Sequence, residues 1–105
     1  MARRQITIDA VRAFRNGNKF KRNNTEVRLC PISGGRQLRL HGNIIAEMNF
    51  DVDGAYRGLY ICDGGWQSVT TKERLNGLPN VAIYQKNWQW YLNGEAWNGS
   101  LIKVN

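Results

Sequence analysis

The polar and apolar positions change rhythm several times along the chain. Ile8, Val11 and Phe14, with Ala10, recur at helical spacing. With Thr7 as N-cap and Gly17 as stop, they predict a helix over 7–16 whose Arg12 and Arg15 lie off the apolar stripe. Residues 16–25 are polar and basic and read as a loop, with Phe20 either an inward anchor or an aromatic offered to a base. Glu26–Cys30 and Gln37–His41 alternate as half-buried strands around a Ser33-Gly34-Gly35 turn. Gly42-Asn43 interrupts the pattern like a bulge before Ile44–Met48 resumes it. Asp51–Gly54 reads as a turn and Tyr56–Ile61 as the next strand.

The second half begins with a glycine turn, Gly64-Gly65, then Trp66, then a short helix ended by Gly77. Thr70 with Glu73 three residues later fits a capping box. Val81–Gln85 and Trp88–Leu92 predict a hairpin around Lys86-Asn87, with Trp88, Trp90 and Leu92 on a buried face and Tyr91 opposite. Leu101–Val104 closes the chain as a strand. The expected architecture is one α+β domain: an antiparallel sheet of hairpins with two short helices, in the order α-β-β-β-α-β-β-β.

Charge changes this picture from a fold to a function class. The chain has 105 residues and a net charge of +7. Residues 1–40 hold ten cations against Asp9 and Glu26, whereas residues 41–105 hold five against six acids. Such asymmetry points to an acidic partner, nucleic acid above all. No apolar leader follows Met1, and no stretch reaches membrane-spanning length. The expected setting is therefore a reducing cytoplasm with Cys30 and Cys62 as free thiols.

Catalytic chemistry is not expected. The one histidine, His41, and two distant cysteines cannot make a structural zinc set, and no nucleotide-loop motif occurs, so neither metal nor cofactor is implied. The candidate nucleic-acid contacts are Arg3, Arg4, Arg12, Arg15, Lys19, Lys21 and Arg22, with Thr70, Thr71, Lys72 and Arg74. In the last four, positive charge near a helix start opposes the helix dipole. It is either offset by Glu73 or answered by an arriving phosphate. Trp66 and Tyr91 are the candidate stacking residues, Trp66 being either a wedge in its turn or a platform for a base.

Gly65-Trp66, Val69-Thr70-Thr71-Lys72, Arg74-Leu75-Asn76, Gln85 and Gln89-Trp90-Tyr91-Leu92 together resemble a pattern of small proteins encoded by tailed bacteriophages. The resemblance covers residues 38–92, including Leu40-His41-Gly42-Asn43 and Ile45-Ala46. It implies a phage accessory protein acting in the cytoplasm of an infected bacterium, and it transfers no active-site residue. Small phage proteins of this size often bind nucleic acid or inhibit a host defence or nucleic-acid-processing complex, so a host nucleoprotein complex is the alternative partner.

Overall fold

The computed structural model describes residues 4–30, 35–51 and 53–104. Helix α1 (Gln5–Asn16) buries Thr7, Ala10, Val11 and Phe14, a stripe one helical turn repeats onto a single face. It ends at Gly17, whose φ of 75° lets its N–H turn back to the Ala13 carbonyl. It starts two residues earlier than Thr7 predicts. Arg4 holds the cap position without a side-chain bond, and Thr7 is fully buried inside the helix. The Thr7 hydroxyl serves the interior instead, donating to Glu73 Oε1 at 2.5 Å.

The basic segment expected as a loop contains a strand. β1 (Phe20–Arg22) pairs with β2 (Thr25–Leu29), followed by β3 (Arg36–Leu40), β4 (Asn43–Phe50) and β5 (Tyr56–Ile61). These strands form an antiparallel meander, which β9 (Ile102–Lys103) extends beside β5. The Ser33-Gly34 part of the expected β2–β3 turn and Val52 of the Asp51–Gly54 turn lie outside the described residues. Asp51 Oδ1 accepts from the Asp53 and Ala55 N–H groups, as an Asx turn does.

β3 and β4 are joined by His41 and Gly42, at φ 54° and 81°, a type I′ hairpin rather than a bulge at Gly42-Asn43. His41 is therefore a turn residue and not the outward end of a strand. The bulge lies one step further in. Leu38 faces Ala46 while Arg39 faces Ile44, which leaves Ile45 as the extra residue. That lets both Ile45 and Ala46 reach the core, each 1% exposed.

Helix α2 (Val69–Leu75) packs across the sheet, and a second antiparallel sheet follows: β6 (Ile83–Lys86), β7 (Gln89–Leu92) and β8 (Glu95–Ala96). The β6–β7 turn is Asn87-Trp88, with φ values of 51° and 68°. Trp88 thus leaves the expected buried face and is 92% exposed, while Trp90 and Leu92 stay inside. Both sheets and both helices feed one apolar cluster. Phe14, Val27, Leu38, Leu59, Ile61 and Leu75 form its centre, and Trp90 and Trp97 close the α2 side. The α+β class with antiparallel hairpins and two short helices is as the sequence predicts, but among the described residues five strands precede α2 and four follow it, where three and three are expected.

Candidate nucleic-acid interface

The buried stripe of α1 runs through positions 7, 10, 11 and 14, and the flank beside it, towards Gly77, presents Arg4, Ile8, Arg12 and Arg15. These fall at helical spacing along a ridge roughly 18 Å long. All four are exposed. Arg12 and Arg15 line a cleft of about 440 Å³ whose other wall is Gly77. Gly77 is required there by close approach: a Cβ would lie 2.7 Å from Thr7 Cγ2 and 2.9 Å from Val11 Cγ2.

Lys19 leads into β1, and Lys21 and Arg22 lie in it, all exposed; Arg22 shares the α1 side of the strand with Phe20, and Lys21 alternates to the other side. Phe20 lies opposite Val27 and packs on the core, so it is the anchor and not a stacking ring. Arg22 covers it at 5.1 Å from the ring centroid and binds Asp9 Oδ2 at 2.9 Å. That hydrogen bond, with one from Gln5, holds the Asp9 carboxyl below the usual carboxylate range. Glu26, across from Lys21, is taken up by Arg28. Among the described residues, Arg4, Arg12, Arg15, Lys19 and Lys21 have no salt-bridge partner. Arg3 lies outside the described residues.

The helix α2 start is built differently from its expected form. Ser68, not Thr70, is the N-cap, and its Oγ accepts from the Thr71 N–H at 3.0 Å. The two-residue shift puts Lys72 and Arg74 in the last turn, where the dipole favours cations. Their charge there already suits the helix dipole and needs no phosphate to offset it. Thr70 is a partly exposed residue of the first turn and does not cap it. Thr71 is buried, its hydroxyl donating to the Trp66 carbonyl at 3.2 Å. Arg74 is 2% exposed. Its Nε donates to Thr25 Oγ1 at 2.9 Å, and its Nη1 to Thr7 Oγ1 at 2.8 Å and to Glu73 Oε1. It ties α2 to α1 and β2 and is withdrawn from any surface. Lys72 lies apart from the α1 ridge, 3.3 Å from Gln85 Oε1 and over the Trp90 ring at 5.7 Å.

Of the two stacking candidates, Tyr91 is half-buried and already stacks on Tyr84, centroids 5.2 Å apart. Trp66 is 74% exposed and does not wedge its turn. Its loop is nevertheless fixed. Asp63 Oδ1 accepts from Gly65 N–H at 2.7 Å, and Trp66 N–H reaches the Asp63 carbonyl at 3.2 Å. Beside the ring lies a hollow of about 330 Å³, lined by Leu40, His41, Asn43, Ile45 and Asp63 among others. Sequence reasoning missed the His41, Asn43 and Ile45 contribution, whose signal was the His41-Gly42 pair read as a tight turn.

Cys62 is not poised for chemistry. Cys62 Sγ donates to the Ile44 carbonyl at 3.1 Å, and burial pushes its thiol above the ordinary range. No helix among the described residues is long and apolar enough to cross a membrane.

Residues 3–103 match the family model described as Kyanoviridae Gp96 protein, and the chain belongs to that family. It is a small phage protein. No curated protein and no solved structure matches the chain.

Proposed function

We propose that this phage protein binds nucleic acid in the cytoplasm of the infected host, through the face formed by α1 and the β1–β2 hairpin, and that it catalyses no reaction. One observation carries the reading. Acids hold Arg22 and Arg28 on this surface, as Asp51 holds Arg57 and Glu73 holds the buried Arg74 elsewhere. On the face itself, Arg4, Arg12, Arg15, Lys19 and Lys21 lack such a partner among the described residues. A ridge of unpaired arginines beside exposed lysines suits a phosphate backbone, whose condensed counterions such groups release on binding.

If about four phosphates are neutralised, affinity falls on the order of a hundredfold between 50 and 200 mM salt. Mobility-shift titrations at both concentrations measure this. The double variant Arg12→Ala, Arg15→Ala is expected to flatten the log–log salt slope by about two. Absence of binding to single- and double-stranded DNA and RNA at the lower salt overturns the proposal.

A second reading rests on a different surface. Trp88 stands fully out on its turn, flanked by Lys72 in one cleft, with Tyr84 also exposed on the same hairpin. Exposed tryptophan and tyrosine are residues that anchor protein interfaces. They suit an inhibitor of a host defence or nucleic-acid-processing complex acting by protein contact, in the manner of an anti-CRISPR protein. Pull-down from nuclease-treated host lysate separates the readings. A stoichiometric protein that survives nuclease and is lost with Trp88→Ala favours the second.

A further inference from the structure

The hollow beside Trp66 includes His41 of the β3–β4 turn, which meets the end of the β1–β2 hairpin. The β1–β2 turn that follows Arg22 touches the β3–β4 turn directly, His41 N–H donating to the Asn24 carbonyl at 2.8 Å. Arg39 reaches over the same turn, its Nη1 3.3 Å from the Gly42 carbonyl. A phosphate chain that leaves the β1–β2 turn therefore meets the His41 turn next. His41 also lines the hollow.

That hollow has a particular make-up. Its floor is apolar, from Leu40 and from Ile45, which the β4 bulge turns inward. One wall is the exposed indole of Trp66. Its rim carries the His41 imidazole and the Asn43 carboxamide, exposed and without a hydrogen-bond partner among the described residues. Together they offer donors and acceptors at one mouth. The loop behind packs closely on β4: a Cβ on Gly64 would stand 3.0 Å from Ile45 Cγ2 and 3.3 Å from Asn43 Cβ. A large ring held out to solvent on a closely packed loop, over an apolar floor with a polar rim, matches a flat heterocycle with hydrogen-bonding edges.

We infer that the Trp66–His41–Asn43 hollow takes one unpaired nucleobase, stacked on Trp66, so that the ligand is a single-stranded nucleic acid and not a duplex. The inference rests on the proposed nucleic-acid binding and narrows it. A duplex offers its phosphates to the basic face but keeps its rings inside the base stack. Only an unpaired strand presents both phosphates and free rings along one path.

The test uses the full chain and two labelled probes, a single-stranded oligothymidylate and a mixed-sequence duplex of the same length, read by fluorescence anisotropy at low salt. Trp66→Ala is expected to weaken single-strand binding about tenfold, the worth of one base–aromatic stack, and to leave the duplex unchanged. The salt slope stays the same because no phosphate contact is removed, and Trp66→Phe keeps most of the affinity. The melting temperature checks the fold, which an exposed Trp66 does not support. Wild-type binding to single strands that is indifferent to Trp66→Ala overturns the inference and leaves the basic face standing. So does equal weakening on both probes, or binding to the duplex alone. Absence of wild-type binding to either probe overturns the nucleic-acid reading and the hollow with it.

Discussion

Helix α1 carries Arg12 and Arg15 on its outer side, whereas α2 carries Arg74 on its inner side. The residue type is the same and the environment is opposite. In α1 the buried stripe is apolar apart from Thr7, and the arginines fall off it. In α2 the stripe is Thr71, Arg74 and Leu75, so the arginine occupies a core position. A guanidinium withdrawn from water is tolerable only with its donors satisfied, and Glu73, Thr7 and Thr25 meet that need. An arginine is thus a candidate partner contact according to where its helix is buried, and not according to the motif around it.

The comparison predicts its largest effect at Arg74. Arg74→Met leaves Glu73 charged and half-enclosed, with Oε2 already buried without a hydrogen bond. The expected loss is about 3–5 kcal/mol, a large share of the roughly 5–15 kcal/mol that holds a domain together. Arg12→Met on α1 is expected to change stability by less than about 0.5 kcal/mol. Urea denaturation of both variants decides it. Adding Glu73→Gln to Arg74→Met removes the stranded charge and recovers much of the loss. Equal losses at Arg12 and Arg74 would erase the distinction between the two helices.

The intermediate effect concerns which residue begins α2. Ser68→Ala removes the oxygen that accepts from Thr71 N–H and is expected to cost about 1 kcal/mol. Thr70→Ala, inside the first turn, should cost only a few tenths. The reverse order would restore the cap at Thr70 and with it the cations to the helix start.

These differences show what the sequence could and could not reveal. The α1 stripe, the Gly17 stop and the alternating strands were legible because local periodicity and turn chemistry determine them. The α2 cap was not, since Ser68 and Thr70 can both cap a helix and only Thr70 has a glutamate three residues on. The choice falls to Ser68 because Thr71 bonds back to the Trp66 carbonyl and Leu75 must reach the core. That two-residue difference decides whether Arg74 faces a ligand or the interior. Its partners Thr7 and Thr25 are 67 and 49 residues away, beyond any local pattern. Trp88 misled for a related reason. A tryptophan at φ 68° in a type I′ turn defies the usual asparagine or glycine preference, so alternation assigned it to the sheet. The candidate site was half legible: the α1 and β1 cations were read correctly as exposed, while the hollow at Trp66 depends on a bulge and a turn from separate strands.

The smallest effect tests the outer face of α1 through its own acid. Asp9 is the one carboxylate on that helix, and it occupies Arg22. Its folded pKa lies below the ordinary 3.8, chiefly through the Arg22 hydrogen bond. A carboxyl depressed on folding stabilises fully above its unfolded value, and the contribution fades as pH falls through the folded value. The Asp9–Arg22 contact is therefore complete above about pH 5 and fades below about pH 4. A carboxyl NMR titration should find the Asp9 midpoint below 3.8, and Arg22→Ala should raise it towards that value. At neutral pH the same bond subtracts a cation from the nucleic-acid face. Asp9→Asn releases Arg22, so affinity should rise a few-fold and the salt slope steepen by about one. An unchanged slope would mean that Arg22 serves only to hold β1 against α1, and that the basic face ends at Lys21.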